Sequence, residues 1–138
     1  MIWQNTLEIS APFERLWELT VDVARWSDFM PTMQWLRPLE DGPLQIGSKV
    51  RVKQPAQLPL VWTVSELQPP SRFVWQSRLG PWRLTATHQI SPTSSGCSNH
   101  LQFEFSGPFS EVIGLLLSPA MNWALATENR CFKKRAEG

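Results

Sequence analysis

Apolar and polar positions alternate along this sequence with a period that changes twice. Over residues 2 to 9 the period is two: Trp3, Asn5, Leu7 and Ile9 share one parity against Gln4, Thr6 and Glu8. That is the pattern of a strand with one covered face. The period then lengthens. In SAPFERLWELTVDVARW, the residues Leu16, Trp17, Thr20, Val23 and Ala24 recur at helical spacing. Ser10 precedes them as a cap, Pro12 suits the first turn, and Glu14 is a first-turn acid. Pro31 ends the run, because it keeps Met30 out of helical dihedrals.

From there to about Gly107 the pattern is one of short strands, expected over 33–39, 49–54, 61–67, 73–79, 82–90 and 100–106. They are separated by EDGP, PAQLP, QPPS, LGP and SPTSSGCSN, connections short enough to favour antiparallel neighbours. Arg72, Val74, Gln76 and Arg78 alternate with Phe73, Trp75, Ser77 and Leu79. His100, Gln102 and Glu104 alternate with Leu101, Phe103 and Phe105. A sheet with one wet and one apolar face follows. Its cover comes last. From Phe109 to about Arg135 the period is again helical, with Val112, Leu116, Trp123, Thr127 and Cys131 on the stripe expected to face the sheet. Pro119 is expected to kink or split that helix. The pattern as a whole predicts one α+β domain over 1–138: a curved antiparallel sheet of about seven strands wrapped around a long C-terminal helix, with space between them.

Composition narrows what such a domain can do. A formal charge of +1 gives no basic face for nucleic acid, and no apolar run is long enough for stable membrane insertion. Cys97 and Cys131 have no zinc spacing and follow no secretion signal, so free thiols and a cytoplasmic location are expected. No metal and no cofactor is expected, and the oligomeric state is left open. Eight tryptophans and seven phenylalanines stand beside no tyrosine. Rings in that number fill a core or line a cavity too wide to fill.

One ionisable residue interrupts the apolar parities. In WRLTATHQI, Trp82, Leu84, Ala86 and Ile90 share a face with His88. An inward imidazole is a structural hydrogen-bonder, a ligand contact, or an acid–base group suited to neutral pH. His88 is the only catalytic candidate. The other inward polar residues are Asn5 and Ser77, with Asn122 or Asn129 from the last helix, and no acidic residue is clearly inward.

Longer stretches carry a resemblance. LEISAPFERLWELTVDVARWSDFMP resembles the opening of the START-like, or SRPBCC, superfamily, where an I-x-A-P-x-x-x-V/L-W start leads into a helix. GPLQIGSKVRVKQPAQLPLVWTVSELQPPSRFVW, SRLGPWRLTATHQISP and FEFSGPFSEVIGLLL are similar to its bacterial polyketide cyclase/dehydrase-like branch. The resemblance spans nearly the whole chain and implies the helix-grip (START/Bet v 1-like) fold with a hydrophobic cavity. It implies no single reaction. Where the branch often carries a glutamate before its F-S-G turn, this sequence has Phe103, and Glu104 falls on the outward parity.

These readings converge on a small hydrophobic or aromatic ligand, such as a lipid or polyketide-like metabolite. It would be held by Trp35, Trp62, Trp75, Ser77, His88, Phe103, Phe105 and Trp123. Two alternatives stand beside it: a cyclase or dehydratase using His88, and an interaction module docking through outward charges such as Arg72 and Arg78. Whether the protein is an enzyme is left open at this point.

Overall fold

The strand parities close into one sheet. The computed structural model describes all 138 residues. It runs β1 (Ile2–Ile9), α1 (Phe13–Val21), a tight 3-10 turn (Val23–Asp28), β2 (Trp35–Pro38), β3 (Lys49–Lys53), β4 (Leu60–Gln68), β5 (Arg72–Leu79), β6 (Trp82–Thr93), β7 (Gly96–Ser106) and α2 (Ser110–Glu137). The seven strands lie in the order β1-β7-β6-β5-β4-β3-β2, each antiparallel to its neighbour. This is the helix-grip α+β arrangement that the sequence predicts. The register shifts between Val64 and Glu66, a bulge in β4 at which the strand bends locally.

Several boundaries differ from the sequence pattern. The run SPTSSGCSN is not a loop: β6 continues to Thr93 and β7 begins at Gly96, leaving a two-residue tip. Gly96 makes this tight return possible. Its φ is +154°, and an added Cβ would collide with the Ile9 carbonyl oxygen. The helical run at the start breaks after Val21, and the tight turn that follows points Trp26 into the core, where its Nε1 donates to the Leu19 carbonyl at 3.0 Å.

The last helix departs most. It passes unbroken through Pro119, and the face it turns to the sheet is not the expected one. Gly114, Leu125, Thr127, Asn129 and Phe132 are buried; of the expected stripe only Thr127 is buried and Cys131 half-buried, whereas Val112, Leu116 and Trp123 are 62%, 81% and 60% exposed. The inward stripe carries small and polar groups, each with a specific partner. Gly114 receives the Met1 side chain, and the Ser118 hydroxyl accepts the Trp3 indole N–H at 2.9 Å. Asn129 is fully buried and ties three elements together. Its Nδ2 donates to the Asn5 carbonyl, the Asn5 Oδ1 and the Asn99 carbonyl at 3.2, 2.8 and 3.1 Å, and its Oδ1 accepts from Asn99 Nδ2 at 2.9 Å. Asn5 and Asn129 therefore hold the helix on the sheet. Cys97 and Cys131 are both free.

Candidate functional site

The inner face of the sheet carries a gap in its rings. In register across β5, β6 and β7 stand Trp75, Ala86 and Phe103. The two indole- and phenyl-bearing strands flank a single methyl group, and the large side chains on either side cannot close over it. A cavity of about 350 Å³ opens there, between the sheet and the middle of α2. That volume is at the low end for small-molecule sites.

Trp26, Trp62, Trp75, Leu84 and Phe103 make its walls, with Met33, Val52 and Leu60 toward β2–β4 and Met121, Trp123 and Leu125 from α2. The rings brace one another. Trp26 lies edge-on to Trp75 at 5.4 Å, Trp62 is 5.6 Å from Trp75, and Trp62 is 6.1 Å from Phe103. Tilted and edge-on pairs of this kind are each worth about 0.5–1.5 kcal/mol beyond the area they bury.

His88 reaches the cavity from within an aromatic box. It is 5% exposed, stacked on Phe73 at 5.5 Å, with Trp26 at 5.2 Å and Phe132 at 5.9 Å. Its Nδ1 is sealed from solvent and has no hydrogen-bond partner. Burial among rings disfavours the imidazolium and lowers the pKa to about 4, so at neutral pH the ring is uncharged.

The expectation of no inward carboxylate is overturned at Glu128. This residue lines the cavity from α2, and its Oε1 accepts the Thr32 hydroxyl at 3.2 Å. Burial raises its pKa to about 7, with the Thr32 hydrogen bond opposing the rise. Gln54 Nε2 donates to the Thr32 carbonyl at 3.4 Å, which makes a polar corner of Gln54, Thr32 and Glu128 in an otherwise apolar space. No lysine or arginine lines the cavity; His88 and Glu128 are its only ionisable residues.

Of the eight ligand-binding candidates from the sequence, Trp62, Trp75, His88, Phe103 and Trp123 line this cavity. Trp35, Ser77 and Phe105 do not. Trp35 sits at the start of the edge strand β2 beneath the Arg37 guanidinium, 4.1 Å from its ring centroid. Ser77 is inward but its hydroxyl donates to the Val61 carbonyl at 2.7 Å, within the sheet. Phe105 stacks on Trp82 at 6.1 Å, beyond the cavity. Asn122 is exposed, and Asn129 is committed to its network. Sequence reasoning missed Trp26, Thr32 and Glu128. For Glu128 a signal existed: it follows Met121, Ala124 and Leu125 by seven, four and three residues, all of which line the cavity.

Comparison with known proteins bears on what this cavity is. Residues 3–137 match the model of the family described as polyketide cyclase / dehydrase and lipid transport. The chain belongs to that family. Solved structures share this fold at low identity. The di-domain ARO/CYC StfQ from the steffimycin biosynthetic pathway is 13% identical with a TM-score of 0.76, over 99% of this chain and 50% of that one. TTHA0849 from Thermus thermophilus is 17% identical with a TM-score of 0.79, over 99% and 97%. The protein jhp0584 from Helicobacter pylori is 10% identical with a TM-score of 0.85, over 99% and 88%. Among curated proteins, none matches the sequence. No helix is long and apolar enough to cross a membrane, and no three His, Cys, Asp or Glu side chains converge as metal ligands.

Proposed function

We propose that this protein binds one neutral, ring-bearing small molecule in the cavity between the sheet and α2. The supporting observation is the lining itself: a ring-walled space with no cation and one polar corner. A fatty-acid carboxylate or a phosphate headgroup would enter without a counter-charge, which is costly in an apolar site. A ring system carrying a hydroxyl or carbonyl meets no such penalty. With a pKa of about 7, the Glu128 carboxyl is present in both forms near neutrality, so it accepts from a hydroxyl or donates to a carbonyl. Trp62, Trp75, Phe103 and Trp123 would hold the rings, and His88 would face them as a neutral imidazole.

A second reading, proton transfer to or from a poly-carbonyl ligand, is favoured by Glu128. A carboxyl whose pKa lies near the operating pH exchanges protons efficiently in both directions. His88, at about 4, is poorly matched to that task. For docking through the outer sheet face, Arg72 is already engaged by Glu66 at 2.6 Å and Gln89 at 3.0 Å, which leaves Arg78 as the exposed charge of the two.

A matched pair of dyes tests the binding reading. N-phenylnaphthylamine is neutral, and anilinonaphthalene sulfonate has the same skeleton with one added negative charge. The neutral dye is expected to bind at least tenfold more tightly, and Ala86→Phe, checked for its fold by circular dichroism, is expected to abolish its binding. Equal affinity for the two dyes, or unchanged binding in a folded Ala86→Phe variant, would refute the proposal.

A further inference from the structure

The two faces of the N-terminal half of α2 are reversed relative to an ordinary surface helix. Toward the sheet it presents Gly114 and Ser118, which let Met1 and Trp3 approach closely. Toward the outside it presents Phe109, Val112, Leu116 and Trp123, at 79%, 62%, 81% and 60% exposure, with Leu115 at 68% on the flank. The spacing of three, four and seven places the first four on one stripe, with Ala120 among them. An amphipathic helix normally turns such a stripe to the core. Phe109, just before the helix, is also held at a φ of +58°, a conformation that bulky residues seldom adopt, with its ring outward. Together these residues expose several hundred Å² of apolar surface, on the order of the roughly 800 Å² each partner contributes to a standard interface.

We propose that this stripe is the contact between two copies of the chain, packed α2 against α2 in antiparallel fashion about a two-fold axis at Leu116. Leu116 is the midpoint between Phe109 and Trp123, which are about 21 Å apart along the helix. A two-fold axis there sets residue 116 plus n against residue 116 minus n. Phe109 of one copy then covers Trp123 of the other, and Val112 covers Ala120.

Charge favours a second copy over a bilayer. From Val112 to Thr127 there is no charged residue, so pairing the stripe with itself opposes no like charges. A helix that lies on an anionic membrane carries lysines and arginines beside its apolar face. Here no Lys or Arg occurs between Arg83 and Arg130, and the charges that bracket the stripe are acids. Glu111 is paired with the Met1 ammonium at 2.9 Å, and Glu128 lies in the cavity. Arg78 and Arg83, at the turn between β5 and β6, are on the outer parity of the sheet, opposite the face that carries Leu84 and Ala86.

The stripe also ends at the cavity mouth. Ala120 and Trp123 belong both to it and to the cavity lining, so the second copy would close the opening over whatever the cavity holds. The pairing stands on the exposed stripe and does not depend on the ligand.

Light scattering on the full chain after size exclusion, with a symmetric cysteine, tests the pairing. The wild type is expected to run at twice the chain mass at tens of micromolar. Leu116→Glu, a change at an exposed position, is expected to run at the single-chain mass with an unchanged circular dichroism spectrum. Antiparallel helices in contact bring facing Cα atoms within disulfide reach at the axis. Leu116→Cys in a Cys131→Ser background should therefore give a covalent dimer under mild oxidation, and Cys131→Ser alone should not. A wild type that stays monomeric, with or without binding to phosphatidylglycerol vesicles, overturns the proposal. So does a dimer that survives Leu116→Glu or fails to cross-link through Leu116→Cys.

Discussion

Replacing His88 with leucine separates its structural cost from any use. In the folded chain the imidazole titrates at about 4, against 6.5 for an unperturbed histidine. Above pH 6.5 both states carry a neutral ring and the shift has no effect. As pH falls below 6.5 the unfolded chain takes up a proton that the folded chain refuses, so stability drops until the folded ring titrates near 4. At about 1.4 kcal/mol per pH unit, the full loss is about 3 kcal/mol. That is a large share of a stability of roughly 5–15 kcal/mol. The variant lacks this loss. At pH 7.5 it also loses the sealed, unpartnered Nδ1, a relief of about 1–3 kcal/mol. Against this, it forfeits ring contacts with Phe73, Trp26 and Phe132, worth about 0.5–1.5 kcal/mol each. On these ranges the leucine chain should lie between about 1.5 kcal/mol more stable and about 3.5 kcal/mol less stable than wild type at pH 7.5. Urea unfolding of wild type and variant at pH 7.5, 6.5, 5.5 and 4.5 measures both quantities. The expected result is a difference that shifts in favour of the leucine by about 2–3 kcal/mol from pH 7.5 to 4.5. His100 and the carboxylates are common to both chains and cancel in the difference. A pH-independent difference would mean that His88 titrates normally when folded, and would refute the account of the aromatic box.

Glu128→Gln addresses the polar corner. An aryl ligand that desolvates the carboxyl favours its neutral form, so N-phenylnaphthylamine should bind wild type several-fold more tightly at pH 6 than at pH 8, and the variant equally at both; a pH-dependent variant would move the titration elsewhere. The same raised pKa means that stability declines as pH rises from 4.5 through 7, because the unfolded carboxyl ionises first. Unfolding of Glu128→Gln across that range should be flatter than wild type. Asn129→Leu strands the Asn5 carbonyl, the Asn5 Oδ1 and both groups of Asn99 that it satisfied. At about 1–3 kcal/mol per orphaned group, the loss should exceed roughly 3 kcal/mol in denaturant unfolding; a loss under about 1 kcal/mol would show that the network does not anchor α2.

What could be read from the sequence divides along a physical line. Strand parity follows from backbone geometry, so the inward positions of Trp62, Trp75, His88 and Phe103 were legible without a structure. Ser77 shows the limit of that reading: its parity is inward, but its hydroxyl is used up on Val61. On α2, periodicity shows which residues share a face and is silent on what covers it. The most apolar stripe, with Val112, Leu116 and Trp123, looked like the sheet-facing one. The stripe that packs inward is built from Gly114, Ser118 and Asn129, whose fit depends on Met1, Trp3 and Asn5, at the far end of the chain. Glu128 escaped for the same reason, since an acid on a helix reads as solvated until Thr32 is seen beside it. Trp26 escaped because the tight turn that aims it inward breaks the helical spacing on which the first helix was read.

The eight tryptophans offer the most direct test of the cavity, because each indole N–H gives its own nuclear magnetic resonance signal. Trp26, Trp62, Trp75 and Trp123 line the cavity; Trp3, Trp17, Trp35 and Trp82 do not. Titrating the labelled chain with N-phenylnaphthylamine should move the first four signals and leave the other four in place. Saturation that leaves the first four unmoved, or that moves Trp35 and Trp82 instead, would contradict ligand binding in this cavity.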